Sequence, residues 1–142
     1  EARMEKTLVL FYFFSVRRGL CGAILGRFEQ KGLQVLALHM LNFNEALVRE
    51  HYQEHVEKAF FPELAAYILS GPVVAIVLTG PRAVEQVRRL VGSTDPLQAG
   101  AGTIRGDYAL NVTENAVHAS DSPNSASVEI ARFFPEYKKQ EV

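Results

Sequence analysis

Hydrophobic positions along this chain change period several times, and each change marks an element. Leu8 to Phe14 is an unbroken apolar and aromatic run, the pattern of a central strand buried on both faces. Residues 17 to 31 place Leu20, Ile24, Leu25 and Phe28 at helical spacing, and Gly32 stands where a left-handed cap ends such a helix. Leu33 to Phe43 alternates in part and predicts a second strand. From Glu45 to Lys58 the opposite charges Glu45 with Arg49 and Glu54 with Lys58 fall four apart, which predicts an exposed helix; Pro62 then opens another. Val73 to Leu78, led in by Gly71-Pro72, predicts a third strand, and Arg82 to Val91 a helix closed by Gly92. Residues 93 to 116 carry Pro96, Gly100, Gly102 and Gly106 with weak periodicity, and a loop of that length inside a compact domain is more often functional than idle. Ser122-Pro123 caps a last helix through Phe133. Strands and helices in this order predict an α+β sandwich with one helical face.

Composition narrows the class. At 142 residues, 48% hydrophobic and 22% charged, the chain predicts a single domain over 1–142 with an ordinary core. A net charge of -1 gives no general field toward nucleic acid or anionic membrane, so neither partner is expected and an anion site must be built locally. Arg17-Arg18 and Arg88-Arg89 are local basic pairs, which taken alone read as solvated helix faces. Cys21 is the single cysteine; it allows no internal disulfide and no cysteine-based zinc site, and a reducing, cytoplasmic setting is expected. The run from Leu8 to Val16 has the length of a signal-peptide hydrophobic region, but Arg17-Arg18 follows it instead of a small-residue cleavage site, and it is too short to span a bilayer. The sequon Asn111-Val112-Thr113 therefore carries no weight.

Candidate chemistry concentrates in the last third, where Arg105, Asn115, His118, Ser120 and Glu129 occur around T-I-R-G-D-Y and N-A-V-H-A-S-D-S. A histidine beside a serine and an asparagine, with an arginine upstream, supplies a nucleophile, its orienting partners and an anion clamp, an inventory suited to phosphoryl transfer. With H-Y-Q-E-H at 51–55, F-F-P-E-L at 60–64, S-G-P-V-V-A at 70–75 and G-S-T-D-P at 92–96, the chain closely resembles the nucleoside diphosphate kinase family from about Thr7 to Phe134. The resemblance implies a ferredoxin-like βαββαβ antiparallel sheet with helices on one face. It also implies ping-pong transfer of a γ-phosphoryl group between nucleoside triphosphates and diphosphates, with Mg2+ bound alongside the nucleotide and a homo-oligomer, tetramer or hexamer. On that resemblance His118 is the phosphohistidine, Glu129 and Ser120 hold it, and Tyr52 and His55 line its pocket. Arg88, Thr94 and Arg105 clamp phosphate, where a guanidinium fork donates two hydrogen bonds at once. Phe60 stacks on the base, Leu64 and Val112 wall it, and Asn115 meets the ribose 3'-hydroxyl. Stacking reads no hydrogen-bond edges, so it tolerates every base; Phe60 beside Phe61 also reads as ordinary core. No Walker loop exists here, so side chains must hold the phosphates, and Gly100-Ala101-Gly102 lacks the third glycine of a dinucleotide fingerprint.

The chain departs from that pattern where the family writes lysine, proline and aspartate at the end of its first strand. Here stand Tyr12, Phe13 and Phe14. A phenol supplies no charge to a developing transition state, and loss of one such group commonly costs on the order of a hundredfold in rate. Impaired turnover at Tyr12 is therefore an expectation, with a nucleotide-binding or scaffold protein of the same fold as the alternative. The aromatics suggest a rebuilt strand end. Ala59 and Ala101 stand where the family usually has proline, a loss of loop rigidity worth under about 1 kcal/mol each. A remoter reading takes His51-Tyr52-Gln53-Glu54-His55 as the H-x-x-E-H pattern of inverted zinc peptidases, with two imidazoles on one helical face.

Overall fold

The computed structural model describes residues 3 to 137. Its elements in chain order are β1 (Met4–Phe11), α1 (Phe13–Arg17), α2 (Cys21–Lys31), β2 (Gln34–Leu41), α3 (Glu45–His51), a single 3-10 turn (Gln53–His55), α4 (Phe61–Ile68), β3 (Val73–Pro81), α5 (Ala83–Val91), α6 (Ile104–Tyr108), β4 (Val117–Ala119) and α7 (Pro123–Phe133). The four strands form one sheet in the order β2-β3-β1-β4, antiparallel throughout. This is the ferredoxin-like α+β arrangement. Central position explains the apolar continuity of β1 and β3: Leu8, Val9 and Leu10 pair with Val77, Ile76 and Ala75, and all six are fully buried.

Because both central strands are apolar on both sides, both faces of the sheet demand cover. One face, with Val9, Phe11, Val74, Ile76 and Leu78, packs against Ile24 and Phe28 of α2 and Val87 and Val91 of α5. The other, with Leu8, Leu10, Ala75 and Val77, packs against Val48 of α3, Phe61 and Ile68 of α4, and Ile130 and Phe133 of α7. The single helical face expected from the sequence is thus only the α2/α5 half. The helices between β2 and β3 and the one after β4 close the second face, and the candidate residues His118 and Glu129 lie on that side.

The predicted strand from Leu8 to Phe14 stops at Phe11. Tyr12 donates its N–H to Ala116 O at 3.1 Å and accepts from the N–H groups of Ser15 and Val16, so a helix starts at Phe13. The three aromatics are therefore not an extended strand end. Tyr12 joins the core of the second face, Phe14 joins that of the first, and Phe13 lies over Gly71, where an added β-carbon would sit 2.5 Å from its ring. Gly71→Ala should consequently cost about 1–3 kcal/mol through overpacking, read as a lowered urea midpoint; a Phe13→Ala background should recover most of that loss.

Two further differences follow from local backbone geometry. The helix predicted over 45–58 ends at His51 because Tyr52, at φ -110 and ψ 33, leaves the helical region. The loop at 93–116 contains α6, capped by the Thr103 side chain, which accepts from Gly106 N at 3.1 Å; a five-residue helix is too short to show in periodicity.

Candidate active site

Alternation along β4 sets the site. Val117 and Ala119 face the α2/α5 core, so His118 between them projects toward α3 and α7, with Leu10 as its partner across the strand. The α7 helix begins directly after β4, its N-terminus held by Ser122, which accepts from Ser125 N at 3.0 Å. Ala126, Ile130 and Phe133 are buried against the sheet, and the same inward side delivers Glu129. The Glu129 Oε1 atom lies 2.8 Å from His118 Nε2 and accepts from Ser120 Oγ at 2.7 Å. Burial pushes the Glu129 carboxyl up, but the His118 and Ser120 hydrogen bonds, with the Arg132 charge, outweigh it and hold the group below the usual carboxylate range. An ionised carboxylate at Nε2 fixes the proton there and leaves the Nδ1 lone pair for attack. The His118 side chain is 22% exposed, open enough for a reactant and shielded enough to stay oriented.

Around this triad the other candidates fall into two sets. Tyr52 donates its hydroxyl proton to Tyr12 Oη at 3.0 Å. Burial pushes both phenols up; at Tyr12 the Tyr52 hydrogen bond and Arg105 oppose the rise, and Glu129 adds to it. Tyr12 thus feels both the Arg105 and the Glu129 charge from the second face of the sheet, although it is only 7% exposed. Arg105 is buried and donates from Nη1 to Gly92 O at 3.0 Å, from Nη2 to Val117 O at 2.8 Å and from Nε to Asn115 O at 3.3 Å. Three of the roughly five guanidinium donors therefore staple the loop ahead of β4, and two remain for an anion. Arg88 reaches Ala119 O at 3.4 Å. Asn115 is buried with its side-chain oxygen unpartnered among the described residues. Next to it Ala116 has φ +76, a left-handed backbone that costs a β-carbon-bearing residue on the order of 1–3 kcal/mol.

The second set lies at the surface. Phe60 is 49% exposed, its ring 5.4 Å from that of His55 and 5.7 Å from Lys58 Nζ, while Phe61 is buried as expected of its partner. Leu64 is half-buried against the second-face core. Thr94 is exposed after α5, and Val112 is exposed in the loop before β4.

Two further residues belong to this neighbourhood: His51, given a role from the sequence only as a zinc ligand, and Arg132, which the sequence did not single out. His51 stands with its ring 4.8 Å from that of His118 and nearly perpendicular to it, and Arg132 Nη1 lies 2.8 Å from His51 Nδ1. Burial, then the nearby His118 and Arg132 charges, hold His51 down to about 2. Arg132 follows Glu129 by three positions, one helical turn on α7, and that spacing is the signal that could have found it. The zinc-peptidase reading fails on the same geometry. With α3 ended at His51, the two imidazoles do not share a helical face, and Nδ1 of His51 already accepts from a guanidinium. Among the described residues no group of three or more His, Cys, Asp or Glu is placed to hold a metal ion.

The family described as nucleoside diphosphate kinase matches residues 5–139. A nucleoside diphosphate kinase of Mycobacteroides abscessus is 54% identical over 132 residues, covering 92% of this chain and 97% of its own length. One from Archaeoglobus fulgidus is 52% identical over 131 residues, 92% of this chain and 87% of that protein. Among solved structures, the Halobacterium salinarum nucleoside diphosphate kinase in complex with CDP superposes with a TM-score of 0.90 at 43% identity, over 93% of this chain and 88% of that one. The Aquifex aeolicus enzyme gives 0.89 at 41% identity, over 93% and 96%. With a histidine on β4, a serine just after it and a glutamate on α7 joined by hydrogen bonds, and a match spanning nearly the whole sequence, this chain belongs to the nucleoside diphosphate kinase family.

Proposed function

We propose that His118 carries the phosphoryl group passed between nucleoside triphosphates and diphosphates. The observation that carries this reading is the Glu129 carboxylate, which receives both His118 Nε2 and Ser120 Oγ. In the first half-reaction Nδ1 attacks the γ-phosphorus, the bond to the bridging oxygen breaks, and the nucleoside diphosphate leaves with that electron pair. In the second, an acceptor diphosphate attacks the phosphohistidine and returns the electron pair to Nδ1. Glu129 offsets the positive charge that grows on the ring during attack. Arg88, Thr94 and Arg105 hold the phosphates, Phe60, Leu64 and Val112 the base, and Asn115 and Tyr12 the ribose side. Tyr52 and His55 line the pocket. Mg2+ bound on the nucleotide's own phosphates would screen their charge. A homo-oligomer is supported by Leu36, Leu38 and Met40, exposed apolar residues on the edge strand β2, which would leave an unprotected sheet edge in a monomer. A cytoplasmic setting accords with the free thiol of Cys21.

The test is incubation with ATP labelled at the γ-phosphate, which should leave acid-labile, base-stable label on His118 that ADP removes. Label confined to a serine or absent altogether would overturn the assignment. A second expectation concerns binding. At about a hundred times its dissociation constant, ADP should stabilise the protein by about 2.7 kcal/mol, raising Tm by several degrees in a thermal melt. No shift at millimolar ADP would mean that Tyr12, the one of the three aromatics on the site side, closes the pocket.

A further inference from the structure

We infer that Arg132 is a positioning residue for phosphoryl transfer, acting on His118 through the hydrogen bond it donates to His51 Nδ1. The proposal rests on His118 as nucleophile. Arg132 is well placed for this. Its side chain is only 9% exposed, its Nε lies 3.3 Å from Glu50 Oε2, and its Nη1 meets His51 at 2.8 Å. A guanidinium has no lone pair to offer, so His51 Nδ1 must be the acceptor and the ring must carry its proton on Nε2. That selects one neutral tautomer. The selected ring is wedged among Phe43, Tyr52 and Phe133 at centroid distances of 6.2, 4.7 and 5.1 Å and stands 4.8 Å from His118.

The charged and titratable groups against His51 are His118 from β4, Arg132 from α7 and Tyr52 just after α3; Glu129 reaches His118 and Glu50 reaches Arg132. The two imidazoles stand in contact, and only one must take phosphorus. Arg132 resolves the conflict: its donor occupies the His51 nitrogen it faces, and its cation opposes protonation of a ring whose charge would repel a positive His118 as attack proceeds. Glu129 and Arg132, one turn apart on α7, thus hold the two imidazoles from the same helix, carboxylate to the nucleophile and guanidinium to its neighbour.

The experiment compares the intact chain with Arg132→Met, which keeps the volume and loses the donor, and Arg132→Lys, which keeps a charged donor. Long-range 1H–15N spectra of the imidazoles should show parent His51 unprotonated at Nδ1, protonated at Nε2 and neutral from about pH 5 to 8. In Arg132→Met the His51 tautomers should mix, while its titration moves up only slightly, because burial, the largest cause of the lowering, remains. The kcat should fall about tenfold with the nucleotide KM unchanged, because Arg132 is given no nucleotide contact; Arg132→Lys should recover most of both. His51→Phe should lose kcat similarly and make Arg132→Met without further effect, the sign of one coupled pair. Unaltered His51 signals or unaltered kcat in folded Arg132→Met would overturn the proposal. If that variant does not fold, the parent spectrum decides, since a His51 carrying its proton on Nδ1, or charged at neutral pH, is incompatible with it. The spectra need no turnover, so a failure of labelling at His118 would be told apart from a failure of this pairing.

Discussion

His118→Ala should abolish the acid-labile phosphoenzyme and lower nucleotide exchange by roughly four orders of magnitude or more, the scale seen when a covalent nucleophile is removed. No other described imidazole combines access with a carboxylate to orient it. His51 is half-buried and its Nδ1 is occupied by Arg132. His55 rests beside Phe60, and His39 lies on Phe134, with ring centroids 4.6 Å apart. The variant should remain folded, because Ser120 still donates to Glu129 and Val117 and Ala119 still carry the β4 pairing with β1. The decisive measurement is label recovered on the protein after a single turnover with γ-labelled ATP, beside the coupled-assay rate. Label persisting at parental level on the alanine variant would place the nucleophile elsewhere.

Tyr12→Lys should raise kcat on the order of a hundredfold while changing the nucleotide Kd little, since a cation acts most on charge that grows during transfer. Geometry supports the direction. Position 12 packs in the core of the second face and feels the charges of both Arg105 and Glu129, so a lysine there would be drawn by a carboxylate. Geometry also sets the cost. Tyr12 is only 7% exposed, bonded to Tyr52 and packed edge-on to Tyr67 at 6.0 Å, and Arg105 opposes a second cation. The substitution should therefore destabilise the fold by about 1–3 kcal/mol, which denaturant unfolding would read. The triple replacement of residues 12–14 by lysine, proline and aspartate should behave differently. Phe14 fills the core and Phe13 covers Gly71, so removing both adds a cavity cost of about 3–5 kcal/mol at Phe14 alone. The single variant is thus the cleaner comparison. A folded Tyr12→Lys protein that binds ADP and turns over no faster than the parent would show that the tyrosine does not limit this chain.

Much of this protein was legible in its sequence, for reasons that are local. The uninterrupted apolar run from Leu8 needs burial on two faces wherever it lies, and the caps at Gly32, Gly92 and Ser122 close or open helices through their own backbone and side-chain chemistry. His118, Ser120 and Glu129 could be named together because one strand and two turns of the following helix bring them within hydrogen-bond reach. What the sequence alone left open depends on groups distant along the chain. The strand gives way to a helix at Phe13 because the Tyr12 carbonyl accepts from Ser15 and Val16, a turn held in place by the Tyr12 N–H bond to Ala116 O, more than a hundred residues away, and no local propensity records that anchor. The same distance hides where the three aromatics at 12–14 go, each to a different neighbour. Arg105 matches a phosphate clamp by spacing, yet only the folded loop shows that it first binds three carbonyls. His51 and Arg132 meet across 81 positions, on helices that touch only because the second face of the sheet must also be covered. Periodicity reports how a segment is solvated, whereas the partner of a buried polar group is chosen by packing, and it was packing that placed a guanidinium and a second imidazole behind His118.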